Sequence, residues 1–168
     1  MSDSDQAIRD ILQELEIVHD WYEHESMHRC EDTHAWHSES KLPGVRAKNL
    51  FLRNKNGKRH FMLILPQEKS FDTPLFREMT TQKCGFASEE RMMKYLGVKP
   101  GSVSPFCLIT DDEAHVEVLI DASLMEEPYL YFHPQRNTAS IQILPADLEK
   151  WFNHRGNPWQ TIDWPDEV

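Results

Sequence analysis

At the start of the chain, Ile8, Ile11, Leu12, Leu15, Val18 and Tyr22 recur at three- and four-residue steps. That spacing predicts a helix with Asp5 in its first turn, occupying residues 1–20 and packing on a single domain of residues 21–168. The pattern then shortens to strand type. Residues 49–52 and 59–65 flank Asn54-Lys55-Asn56-Gly57, whose Asn-Gly step suits the positive φ angles of a tight hairpin. Ser88-Glu89-Glu90 reads as the capped, acidic first turn of a helix running through Leu96 and closed by Gly97. Two prolines and a glycine then make 100–105 a loop. Residues 106–109, 116–121, 129–132 and 138–144 read as strands, and Pro145 opens a helix carrying Leu148, Trp151 and Phe152 that stops near Gly156. Six or seven strands and three or four helices in mixed order, with no repeat, define an α+β, or mixed α/β, domain.

Composition narrows this picture. The 168 residues carry 18 Lys and Arg against 28 Asp and Glu, a net charge of −10, with 39% hydrophobic positions. A chain of this size buries enough surface to need no staple. The apolar run 61–65 ends at Pro66, far short of the roughly 20 residues that span a bilayer. Met1 to Asp5 has none of the features of a secretory signal, so export is not expected. Cys30, Cys84 and Cys107 form no close pair, which points to free thiols in the cytoplasm.

The acidic average hides a segregation. Residues 40–67 contain no carboxylate but hold Lys41, Arg46, Lys48, Arg53, Lys55, Lys58 and Arg59. Such a stretch reads either as a phosphate-binding face or as a hairpin whose cations keep an edge soluble. Familiar catalytic signatures (GxSxG, the Walker loop, GxGxxG, HExxH) are missing. His28, Cys30, His34 and His37 are spaced unlike any common structural zinc frame, so neither metal nor other cofactor is expected.

Four ordered segments are more informative together. They are Leu42-Pro43-Gly44 leading into Lys48-Asn49-Leu50-Phe51-Leu52, then Phe86-Ala87-Ser88-Glu89-Glu90, then 96–106 with its Pro100-Gly101-Ser102-Val103-Ser104-Pro105 core, and finally Phe132-His133-Pro134 with Asn137-Thr138-Ala139. In these residues and their order the chain resembles the YbaK/prolyl-tRNA synthetase-associated domain family, over about Trp21 to Asp163. Within that family the likeness is to the free-standing prolyl-tRNA deacylases related to PrdX. The resemblance implies a strongly curved mixed sheet packed with helices, and hydrolysis of alanine from mischarged tRNA(Pro), with prolyl-tRNA synthetase as a second partner. It implies that Lys48 is the critical lysine, that the 101–105 loop lines the reaction centre, and that His133 and Asn137 stand at the pocket.

Elementary chemistry is compatible with those roles. An aminoacyl ester is already activated, so a positioned water and stabilisation of the oxyanion suffice. Main-chain N–H groups of Gly101, Ser102 and Val103 are candidate oxyanion donors, and Gly101 allows close approach. Lys48 offers charge to the terminal phosphate or to the carbonyl, and His133 either orients water or braces its loop. Asn49, Val103, Ser104, Pro105, Asn137 and Thr138 are the expected substrate contacts; Arg46, Arg53, Lys55 and Lys58 are the expected phosphate contacts. Met92, Met93, Tyr95 and Leu96 are expected in the core. The chain departs from the family pattern at Glu25, where relatives carry proline, and at Arg46-Ala47, where they carry histidine and a small residue. Alternative functions are a non-catalytic tRNA- or synthetase-binding module of the same fold, or a deacylase for Ser- or Cys-tRNA.

Overall fold

The structure, a computed structural model, describes residues 2–167. Its spine is the hairpin of β2 (Val45–Asn54) and β3 (His60–Pro66), antiparallel from Ala47 opposite Pro66 to Arg53 opposite His60. The turn differs from the two-residue form that the Asn-Gly step predicts. Only Gly57 takes a positive φ, +68°, and the loop is longer, closed by Asn54, whose Oδ1 accepts from the N–H groups of Lys58 and Arg59 at 3.0 Å each.

Around this hairpin lie β1 (Asp20–Glu23), β4 (Cys84–Phe86), β5 (Val116–Asp121), β6 (Leu130–Phe132), β7 (Ala139–Ile143) and β8 (Trp159–Ile162). The eight strands run β1-β7-β6-β2-β3-β5-β8, with β4 added to β2. Pairs β2–β6, β3–β5 and β5–β8 are parallel and the others antiparallel, so the sheet is mixed, as the element order predicts. All of β3 is buried, as befits a strand covered on both faces.

The helices are α1 (Asp3–Glu14), α2 (Cys30–Ser40), α3 (Thr73–Thr80), α4 (Glu89–Leu96) and α5 (Pro145–Arg155). α1 sends Ile8 and Leu12 into the cluster that holds Trp151 and Phe152. It is shorter than its apolar spacing predicts: the chain reverses at Glu16 (φ +54°), leaving Val18 82% exposed and placing Tyr22 in β1. The apolar rhythm crosses that reversal because Ile17 turns back into the core. Residues 106–109 are not a strand but part of a 3₁₀ helix, Pro105–Thr110, started by the fixed φ of Pro105 and by Ser104, whose Oγ accepts from the N–H of Phe106. They are apolar because they are buried, not because they are pleated. α4 has its expected caps, Ser88 accepting from the N–H of Arg91 and Gly97 at φ +68°. Met93, however, faces outward at 47% exposure rather than joining the core. No helix among the described residues is long and apolar enough to cross a membrane.

One irregularity positions everything that follows. β2 pairs with β6 only at Val45 and Arg46, and with β4 only from Leu52 onward. Between them, residues 47–51 keep β3 on one side and have no strand on the other. The sheet therefore opens a slit beside its own central strand.

Candidate active site

A cleft of about 340 Å³ fills this slit, and Ala47, Lys48, Asn49, Leu50 and Phe51 all border it. The start of α2 and the chain before it close one side with Met27, His28, Arg29, Cys30 and Thr33; the loop before the 3₁₀ helix brings Pro100, Gly101 and Val103 from another. Tyr131, Phe132 and His133 at the end of β6 complete the wall. No lining residue is a carboxylate, whereas Arg29, Arg46 and Lys48 are cations. Charge of that sign with no internal counter-ion suits an anionic ligand.

Lys48 and Gly101, on distant segments of the chain, thus border one cavity. Lys48 is half-buried and has no ion-pair partner among the described residues; partial burial pushes its amine below the usual lysine range, with Cys30 and Glu68 acting weakly the other way. Gly101 adopts φ +92°, which a side chain resists, and a Cβ there would meet nothing nearer than the His28 carbonyl at 3.8 Å. Glycine is needed for the turn, and the space beside it is open.

The main-chain donors are fewer than expected. The Ser102 N–H is spent on the Lys99 carbonyl at 3.3 Å, its carbonyl accepts from the Cys107 thiol, and Ser102 does not line the cleft. The N–H groups of Gly101 and Val103 have no partner among the described residues and remain available. Ser104 and Pro105 are buried supports rather than substrate contacts. Ser104 Oγ donates to the Pro134 carbonyl at 2.9 Å, and the Pro105 carbonyl accepts from Trp151 Nε1 at 2.9 Å.

His133 lines the cleft with one nitrogen committed. Its Nδ1 lies 2.8 Å from the Ala139 carbonyl, which can only accept, so Nδ1 carries the proton. Burial, reinforced by the charge of Arg46, pushes its pKa down to about 4, and the ring is neutral with Nε2 as a free acceptor. A parallel chain of bonds fixes the neighbouring ring. Arg46 Nη1 donates to Ser140 Oγ at 2.8 Å, Ser140 donates to His24 Nε2 at 2.8 Å, and His24 Nδ1 donates to the Glu25 carbonyl. Burial lowers the pKa of His24 as well.

Arg46 is consequently not an outer phosphate contact: it is 7% exposed, with its charge turned onto Ser140 and Trp36. Arg53 folds back on its own hairpin, donating to the carbonyls of Asn54 and Lys55. Lys55 and Lys58 stand exposed at the hairpin tip, roughly 20 Å along β2 from Lys48 at 3.3 Å per residue. Asn49 Oδ1 is a buried acceptor without a partner at the cleft. Asn137 and Thr138 lie just behind the rim: Asn137 bonds Ser26 at 2.9 Å and His28 at 3.3 Å, and Thr138 Oγ1 accepts from Arg136. His28, Cys30, His34 and His37 do not converge, and no group of three potential metal ligands occurs among the described residues. The residues of α2, and Gln67, which donates to Thr33 at 3.0 Å, are not legible as site residues in the sequence. α2 buries only Thr33 and has no apolar stripe to announce it.

Fold and cleft together define a mixed α/β domain whose split sheet holds a cationic, carboxylate-free site with spare main-chain donors. The chain belongs to the aminoacyl-tRNA editing domain family, which matches residues 24–151. It is 32% identical over 162 residues to the prolyl-tRNA editing protein ProX of Acetoanaerobium sticklandii, covering 96% of this chain and 98% of that one. It is also 32% identical over 112 residues to the prolyl-tRNA synthetase associated domain-containing protein 1 of Danio rerio, covering 65% of this chain and 60% of the relative. The crystal structure of a candidate trans-editing enzyme for prolyl tRNA synthetase superposes with a TM-score of 0.73 over 98% of both chains, at 15% identity, a likeness of fold. The protein is an aminoacyl-tRNA deacylase, and its substrate is a charged tRNA.

Proposed function

We propose that this deacylase acts in trans on tRNA(Pro) mischarged with alanine, in the cytoplasm, on substrate that prolyl-tRNA synthetase has released. The observation that carries the reading is that Lys48, Gly101 and Val103 border one cleft while the N–H groups of Gly101 and Val103 have no partner among the described residues. The name of the 32% identical relative supports prolyl-tRNA as the carrier.

In this reading a water attacks the ester carbonyl carbon, and the bond to the ribose oxygen breaks. The water's proton passes to that oxygen, releasing alanine and a free 3′ end. Charge growing on the carbonyl oxygen is met by the two N–H donors, each typically worth about 10²–10³ in rate. Lys48 holds the terminal phosphate or adds to that field. With a pKa of about 4, His133 is too weak a base to take the proton at neutral pH, so its Nε2 orients the water by accepting from it. The ribose 2′-hydroxyl beside the ester is the remaining route for the proton. Asn49 Oδ1 is free to accept from the substrate's amino group or ribose. At the hairpin tip, Lys55 and Lys58 are placed to meet phosphates further along the RNA.

Met27, Phe51, Met92 and Val103 form the apolar wall against which the amino-acid side chain rests. One methylene in such a wall is worth about 1–3 kcal/mol, enough to rank neighbouring amino acids. Offering Ala-, Ser-, Cys- and Pro-tRNA(Pro) to one preparation tests the reading: alanine is expected fastest and proline slowest. Release of proline at the alanine rate, or of nothing, overturns it.

A further inference from the structure

Phe86 has no part in the chemistry above, yet it borders the same cleft and is 63% exposed. Among the described residues it is the one Phe, Tyr or Trp side chain in the exposed class. A ring open to water on the surface of a monomer needs no explanation in isolation; at the mouth of a binding cleft it marks a contact surface.

The ring is also held in place. Phe86 stands opposite Leu52 in the β2–β4 ladder, so it projects from the same face as Leu50 and Lys48, the latter four residues and about 13 Å along the strand. Behind it, the Phe71 ring meets it edge-on at 5.4 Å, and Phe71 in turn stacks on Trp164 at 6.2 Å and 14°. The backbone is pinned where the Ala87 N–H donates to the Phe51 carbonyl at 2.9 Å. A braced aromatic that shares a carboxylate-free cleft with a cation, about 13 Å from it along the strand, suits single-stranded nucleic acid: the cation takes a phosphate and the ring takes a base.

We propose that Phe86 is the stacking platform for a base at the 3′ end of the tRNA, most directly the terminal adenine, and that this contact orients the ester toward Gly101 and Val103. The inference rests on the deacylase reading and adds a nucleotide subsite to it. Stacking on an aromatic ring tolerates any base, so this subsite contributes affinity and placement, while discrimination among amino acids stays with the apolar wall.

Two measurements test it. An acceptor-stem RNA with 2-aminopurine as its terminal base is titrated with wild type, Phe86→Leu and Phe86→Trp; wild type and Phe86→Trp are expected to quench the fluorescence, and Phe86→Leu to leave it bright. With Ala-tRNA(Pro), Phe86→Leu is expected to raise KM about 5–150-fold, the span of one base–aromatic stack, with kcat within about threefold and Phe86→Trp restoring KM. Because the ring is mostly exposed, the melting midpoint of Phe86→Leu reports whether the fold is intact. Equal quenching and equal KM for wild type and Phe86→Leu overturn the subsite while leaving the deacylase reading standing. A wild type that releases no alanine overturns that reading instead, and 2-aminopurine quenching still decides whether Phe86 stacks on a base.

Discussion

His133 and His60 are both buried, and both are held at a pKa of about 4, yet only one belongs to the cleft. At His60, burial acts first, joined by the charges of its neighbours, and both nitrogens are spent. Arg91 Nη1 donates to Nε2 at 3.0 Å, and Nδ1 faces His115 Nε2 at 2.9 Å. Tyr95 and Phe51 close over the ring at 4.3 and 5.5 Å. His133 keeps Nε2 free beside an open space. A depressed pKa therefore reports burial and neighbouring charge, and function needs in addition an unspent atom with room in front of it.

The largest effect that separates the two regions is expected from truncating a cation on one side and the ring on the other. Lys48→Ala should lower kcat/KM by about 10²–10³, the scale of one electrostatic contact to developing charge, with stability unchanged within about 0.5 kcal/mol because Lys48 is partly exposed and unpaired. His60→Asn should do the reverse. Leaving Arg91 and His115 without their partner costs about 2 kcal/mol in denaturant unfolding, while kcat of the folded fraction stays within about twofold. Equal losses of rate in the two variants would erase the distinction between them.

Acid sharpens the comparison further. Unfolded, both histidines titrate near 6.5; folded, both titrate near 4. Between those values the unfolded chain binds protons that the folded chain refuses, so stability falls as pH falls from 6.5 toward 4. Each ring contributes a slope of up to about 1.4 kcal/mol per pH unit, and none above that window. His133→Asn and His60→Asn should each remove part of this slope in melting curves, and in the first variant the new side-chain amide can still donate to the Ala139 carbonyl. Only His133→Asn is expected to lower kcat, by roughly tenfold, through loss of the acceptor that holds water. A slope that both variants leave unchanged would assign the acid sensitivity to other groups.

Local rules expose much of the fold but little of the slit. The hairpin, the caps of α4 and α5 and the strand at 116–121 follow from turn residues and alternation, and the structure has them. α2 escapes notice because it buries one residue, and the 3₁₀ helix at Pro105 passes for a strand because full burial removes the alternation that tells the two apart. The motifs lead to the expectation that Lys48, Gly101 and His133 lie at the site, and all three border the cleft. What no pattern shows is which backbone groups are already spent. Ser102 looks equivalent to its neighbours until the bond to Lys99 is seen, and Arg46 looks like a surface cation until its burial against Ser140 and Trp36 is seen. The gap beside 47–51 depends on where β6 and β4 end, which is a property of long-range pairing.

The smallest expected effect is at Gly85, and Gly101 at the cleft is its control. Gly85, in β4 opposite Arg53, has no positive φ, and a Cβ there would meet nothing within 4 Å. Gly85→Ala should therefore stabilise the protein by about 0.4–1 kcal/mol, mainly by restricting the unfolded chain, with kcat/KM unchanged. Gly101 has equally ample space, yet its φ of +92° belongs to the region where a side chain strains the backbone. Gly101→Ala should cost about 1–3 kcal/mol in stability, or else relax the loop and tilt the Gly101 and Val103 N–H groups away from the ester, which appears as lost kcat. Since neither Cβ meets an obstacle, backbone angle is the variable that separates the two substitutions. If Gly101→Ala proved as benign in both stability and kcat as Gly85→Ala, the turn would not be what aims those two donors, and their availability would have to come from the surrounding prolines.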